Sequence, residues 1–280
     1  MSKQWMGNLI LFDRSEEVQD DVWYSFAVDE LLSEQVAKHN TMICHVWTHQ
    51  AAVILGQRDA RLPYVKEALA QLETNGYRTC VRHSGGAAVP LDKNVLNITL
   101  IFPLGAISEQ SYHDGFEKMY ELIANVCATM PYTISKGEIA GAYCPGDYDL
   151  SVNGLKFCGI AQRRKVNAYM VQAFINIDGD SVQRATLIKQ FYDLAVKEKT
   201  DSDYPNILPQ TLSSLAQFGS FILDDERKHS MSEVKAFVDR LASSIDGTRQ
   251  SKAEDLYISL PQHEAVILKA DQLRRRYRIV

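Results

Sequence analysis

Apolar residues recur at helical spacing over residues 19–39, "QDDVWYSFAVDELLSEQVAKH". Trp23, Phe26, Ala27, Leu31 and Val36 lie near one face, and Asp20 or Asp21 can cap the start. "MICHVWTHQAAVILG" reads as two short strands around a polar turn, and "YVKEALAQLETNG" as a helix ended by Asn75-Gly76. "YRTCVR" is a strand, "HSGGAAVPLDKN" a loop, and "VLNITLIFP" a strand with apolar alternation. "SYHDGFEKMYELIANVCATM" returns to helical spacing, with Phe116, Met119, Tyr120, Ile123 and Cys127 on one side. "VNAYMVQAFINID" is a further strand. From about residue 181 the pattern is helical, through "SVQRATLIKQFYDLAVK" and "SEVKAFVDRLASSI". The last stretch, "QHEAVILKADQLRRRYRIV", has no equally clean period, and its arginines read as a solvated face. This order of elements predicts an α+β domain: a mostly antiparallel sheet flanked by helices, with a helical C-terminal part.

The strongest local signal is "DLSVNGLKFCGIA", where Asn153-Gly154 between alternating runs is the signature of a type I′ hairpin. A two-residue turn there pairs Val152 with Leu155, Ser151 with Lys156, Leu150 with Phe157 and Asp149 with Cys158. Leu150, Val152, Leu155 and Phe157 then form one apolar face. Asp149, Ser151, Lys156 and Cys158 form the other, so Lys156 can look into a cleft.

Composition narrows the class. At 280 residues and 46% hydrophobic, the chain can bury a sizeable core in one large domain or two small ones. A net charge of -5 speaks against a general nucleic-acid binder. The N-terminal apolar run is short and soon acidic, and no stretch is long enough to span a bilayer, so a cytoplasmic location is expected. The cysteines are Cys44, Cys80, Cys127, Cys144 and Cys158; their odd number and the lack of a C-x-x-C pair suggest neither a disulfide framework nor a structural zinc site. Cys44, Cys80 and Cys127 sit among apolar or β-forming neighbours and read as buried, inert thiols.

Cys144 is different, lying in the polar, glycine-rich "GAYCPGDYD". It precedes Ser151, the cross-strand partner of Lys156, by a distance of about 23 Å if the chain were straight. Pro145-Gly146 can turn the chain back. Two readings follow: a thiol activated by a nearby ammonium, or a loop cysteine and a surface lysine. A second candidate is "VRHSGGAAVPLD". Gly85 and Gly86 let backbone approach a ligand, and Arg82 could hold a carboxylate or a carbonyl, but the segment also suits an ordinary strand-to-strand loop.

Three ordered blocks together resemble the lipoate–protein ligase, biotin ligase and octanoyltransferase superfamily: "FAVDELL" with "VWTHQAAVILGQRDA", then "VRHSGGAAVPLDKNVLNITLIFP", then "YDLSVNGLKFCGIAQRR". The resemblance implies the class II aminoacyl-tRNA synthetase/biotin-ligase-like fold, with a catalytic domain over 20–245 and a C-terminal extension, 246–280, packed on it. The ATP-using ligases resemble "RRxSGGGAVYHD"; here Val81, Ala87 and Leu91 depart from that pattern. "YCPGDYDLSVNGLKF" instead resembles the branch with a loop cysteine.

That resemblance implies a thioester-forming cysteine at Cys144 and, at Lys156, a lysine that lowers the thiol pKa. It implies substrate-binding positions at Arg82, Ser84, Gly85, Gly86, Ala87 and Gly154, with no cofactor and no metal. The implied activity is transfer of octanoyl from octanoyl-lysine of the glycine cleavage H protein to the lipoyl domains of 2-oxoacid dehydrogenase E2 subunits, without ATP. Neither nucleic acid nor membrane is an implied partner. Octanoyl transfer from acyl carrier protein, ATP-dependent lipoate ligation and a non-catalytic lipoyl-domain binder are the alternatives. Val89 and Ile98 are candidates to line an acyl channel. "QRRK" (Gln162–Lys165) is a candidate basic turn to guide an acidic donor.

Overall fold

The described residues of the computed structural model, 3–104, 112–197, 204–224, 230–247 and 260–279, form two sheets and six helices. In chain order the strands are β1 (Leu9–Arg14), β2 (Met42–Trp47), β3 (Ala51–Leu55), β4 (Arg78–Val81), β5 (Val89–Asp92), β6 (Val95–Pro103), β7 (Ser135–Lys136), β8 (Leu150–Val152), β9 (Leu155–Arg164) and β10 (Ala168–Asn176). The helices are α1 (Val22–His39), α2 (Val65–Thr74), α3 (Tyr112–Val126), α4 (Ser181–Val196), α5 (Glu233–Asp246) and α6 (His263–Arg276).

The larger sheet has the order β1-β2-β6-β10-β9-β8-β7; only β1 and β2 run parallel. The smaller is β4-β3-β5. Every residue of β6 is buried, because the larger sheet is covered on both faces. Leu96, Ile98, Leu100 and Phe102 pack with α3 and α5 in one apolar cluster, whereas Val95 and Ile101 pack with α1 in the other. Asn97 and Thr99 share the α1 side and bring polar groups there.

Helix α1 starts where Asp21 caps it, its carboxylate accepting from the Trp23 N–H at 3.0 Å. Several elements differ from the reading of the sequence. The two strands around the polar turn, β2 and β3, belong to different sheets. "LILF" near the N-terminus is β1, and part of the glycine-loop segment is the strand β5. The indistinct C-terminal stretch contains α6, which lies on α1: Tyr277 stacks on Trp23 at 6.3 Å, and Arg274 and Lys269 pair with Asp21 and Glu34. Of the stretch 246–280, residues 248–259 and 280 lie outside the described residues. No helix among the described residues is long and apolar enough to cross a membrane.

The hairpin turn is type I′, with φ of 52° at Asn153 and 77° at Gly154. Its register follows expectation only for two pairs, Val152–Leu155 and Ser151–Lys156. A bulge then makes Leu150 face Cys158 and leaves Phe157 extra. Cys158 therefore joins Leu150, Val152 and Phe157 in the apolar core, not Asp149 and Lys156 on the polar face.

Candidate active site

Cys144 sits in the loop before β8 with φ of 48°, a left-handed conformation that L side chains avoid. The bulged hairpin supplies what holds it there. Lys156 is fully buried, and its ammonium donates to the carbonyl oxygens of Tyr143 at 2.9 Å and Cys144 at 2.7 Å. Those carbonyls belong to the peptide units on either side of the Cys144 Cα. One side chain thus fixes both planes, and with them both backbone torsions of the cysteine.

Asp149, itself 1% exposed, pairs with the Lys156 ammonium at 2.9 Å. Burial pushes the Asp149 carboxyl up to about 6, against the opposing pull of Lys156. Lys156 is a buried clamp on the loop; the cleft-facing lysine expected from strand alternation is not what forms.

The cation in contact with the sulfur is Arg82. Its Nη2 donates to Cys144 Sγ at 3.1 Å and to the Ala87 carbonyl at 2.7 Å. The Ala87 N–H also donates to Sγ, at 3.3 Å. Two donors, one charged, thus converge on the thiol, an arrangement that favours negative charge on sulfur. Gly86 has φ of 103°, and a Cβ there would stand 2.2 Å from Arg82 Nη2 and 2.8 Å from Cys144 Sγ. Only glycine leaves room for the convergence.

Arg82, Gly85, Gly86 and Cys144 border a cavity of about 240 Å³. Val89 and Ile98 border it, as do Ala173 and Phe174 of β10, while Thr99 and Gln172 add polar groups. Thr99 and Gln172 are spoken for: both donate to the buried Asp29, at 2.8 and 3.0 Å, which also holds His45 at 2.7 Å. Asn97, His113, Asp147 and Gln162 also border the cavity, but its exposed lining is mainly apolar.

Three other expected positions do not line the cavity, although the Ala87 backbone reaches the thiol. Ser84 and Ala87 border a second depression, with Arg58 and Arg61, which shares Gly85, Gly86 and Pro145 with the cavity. Gly154 borders neither space, because the I′ turn claims it. The "QRRK" segment is not a free basic turn. Arg163 and Arg164 end β9, Arg163 and Lys165 both pair with Glu30 of α1, and Arg164 lies over the Tyr169 ring at 5.8 Å. Arg163 and Lys165 share one carboxylate, so their charge is only partly offset, and Arg164 is exposed.

Among the cysteines, Cys144 alone touches the cavity. Burial pushes the thiols of Cys44, Cys80 and Cys158 well up, and that of Cys127 to about 11.

Residues 21–242 match the family of lipoyl protein ligase A/B catalytic domains. The chain is 43% identical over 199 residues to the octanoyl-[GcvH]:protein N-octanoyltransferase of Geobacillus kaustophilus, covering 70% of each chain. It is 38% identical over 221 residues to the protein of the same name from Oceanobacillus iheyensis, covering 78% of each. In fold it resembles lipoate-protein ligase A bound with ATP, with a TM-score of 0.65 at 16% identity over 96% of this chain and 94% of that one. A bi-partite lipoate protein ligase from Thermoplasma acidophilum matches with a TM-score of 0.63 at 18% identity, over 96% and 92% of the two chains.

Proposed function

The chain belongs to the lipoyl protein ligase A/B catalytic-domain family, and from that premise we propose that it is an N-octanoyltransferase of protein lipoylation. It takes octanoyl from the octanoyl-lysine of a glycine cleavage H protein and passes it to the lysine of E2 lipoyl domains, in the cytoplasm and without ATP. One observation supports this reading above the others: the Arg82 guanidinium and the Ala87 N–H converge on the Cys144 sulfur at a mainly apolar cavity.

In this reading the Cys144 sulfur attacks the acyl carbonyl. The S–C bond forms, the C–N bond breaks, and the thiol proton leaves on the lysine amine. The acceptor amine then attacks the thioester and returns a proton to sulfur. Amide is exchanged for amide, so the overall reaction is nearly isoenergetic and needs no nucleotide. Backbone N–H groups around Gly85-Gly86 stabilise the oxyanion. Lys156 acts through the loop it clamps, holding Cys144 in its left-handed conformation. Burying the acyl carbons beside Val89, Ala173 and Phe174 contributes roughly 5 kcal/mol of binding.

The test is a mixture of the protein, octanoylated H protein and an unmodified lipoyl domain, with no ATP. Octanoyl should appear on the lipoyl domain. Transfer only from octanoyl-acyl carrier protein, or only on adding ATP and free acid, would contradict the reading.

A further inference from the structure

Tyr192, on α4, lies outside the three sequence blocks and borders neither the cavity nor the second depression. Its hydroxyl donates to Asp59 Oδ1 at 2.9 Å and accepts from the Ala88 N–H at 3.0 Å. A phenol carries one proton. With that proton donated to Asp59, the oxygen can only accept toward Ala88. Asp59 is oriented in turn by the Gly56 N–H, 2.7 Å from its other carboxylate oxygen. Tyr192 and Asp59 are 1% and 5% exposed, and only Asp59 borders the second depression, so water has little access to the Tyr192 hydroxyl.

This chain of bonds ends on the peptide unit joining Ala87 to Ala88. Arg82 holds the carbonyl of that same unit. The unit is therefore pinned at its oxygen by Arg82 and at its nitrogen by Tyr192. The preceding N–H, that of Ala87, is the backbone donor on Cys144 Sγ. We infer that Tyr192 and Asp59 are positioning residues for acyl transfer: they hold the Ala87–Ala88 segment so that the Ala87 N–H stays on the sulfur.

The inference rests on the thiol-transfer reading for its link to turnover, but the thiol itself reports it without substrate. Tyr192→Phe keeps the ring and removes the hydroxyl. Iodoacetamide labelling of Cys144 at pH 7, followed by peptide mass spectrometry, should slow by about tenfold, and kcat for octanoyl transfer should fall with it. KM for the octanoylated donor should stay the same, and thermal unfolding should show a folded protein.

Substitution at Asp59 provides a second variant should Tyr192→Phe fail to fold. An amide at 59 would keep both contacts by donating to the Tyr192 oxygen, so the variant used is Asp59→Leu, which accepts from neither Gly56 nor Tyr192; both bonds are lost and labelling should slow again. A labelling rate that is unchanged or faster in the folded variants overturns the inference, as does a change confined to KM. Slower labelling in a protein whose wild type transfers no octanoyl would leave the positioning role standing and sink the transfer reading instead.

Discussion

Arg82 and Cys144, 62 positions apart in the chain, meet with the guanidinium Nη2 3.1 Å from the sulfur. The contact is made possible by Gly86 and is shared with the Ala87 backbone, so loop and thiol form one unit. It gives the sulfur a charged donor that Lys156, held by two carbonyls and Asp149, is not seen to supply.

Arg82→Met preserves much of the side-chain volume and removes both hydrogen bonds. Labelling of Cys144 by iodoacetamide at pH 7 should slow by roughly tenfold or more. Arg82→Lys should fall between, because an ammonium lacks the guanidinium's planar fork. A rate unchanged in Arg82→Met would show that the guanidinium does not activate the thiol.

Lys156→Met leaves Asp149 buried without its cation and frees the two carbonyls that flank Cys144. Urea unfolding should show a loss on the order of 3–5 kcal/mol, the usual result of breaking a buried pair from one side. Restored stability in Lys156→Met/Asp149→Leu, without restored transfer, is expected. A single variant as stable as wild type would contradict the clamp.

Much of this was legible in the chain, and the remainder has identifiable physical reasons. Asn153-Gly154 announces its turn because both residues accept positive φ, and the first two pairs follow from the turn. The bulge at Phe157 has no comparable signal. It depends on how the ladder meets the rest of the sheet, and it moves Cys158 to the other face. The nucleophile candidate and the glycine loop were recognisable as separate segments. That Arg82 would point at the thiol depends on a contact between distant loops. Glu30 reads only as a residue of α1, yet it ties down Arg163 and Lys165 and leaves Arg164 as the exposed cation of that turn. Tyr192 gave no local hint, since an aromatic residue on an amphipathic helix reads as core until Asp59 and Ala88 are seen beside it.

Asp149 gives the pH dependence a definite sign. Burial raises its folded-state value from 3.8 to about 6. Between those values the folded protein binds more protons than the unfolded chain, so this group's contribution to stability grows as pH falls through the window. Above about pH 6 it is ionised and costs stability. The stability of wild type relative to Asp149→Asn should therefore rise between pH 7 and pH 4, by on the order of 2–3 kcal/mol. Octanoyl transfer should move the other way, falling below about pH 6 as Lys156 loses its counter-ion. A stability difference independent of pH would refute the assignment.

Ala173 borders the cavity from β10 and is buried. Ala173→Leu should shorten the space for the acyl chain. Transfer of octanoyl should drop by roughly 10–200-fold relative to hexanoyl, the range that one or two methylenes can decide. Equal losses for both chains would place the acyl group elsewhere.

The fate of Cys144 decides the transfer mechanism most directly. Intact mass spectrometry after mixing with octanoylated H protein should show the addition of one octanoyl group, removed by hydroxylamine and mapped to the peptide carrying Cys144. Cys144→Ala should acquire no adduct and transfer nothing. An adduct on Cys158, or full transfer by Cys144→Ala, would contradict it.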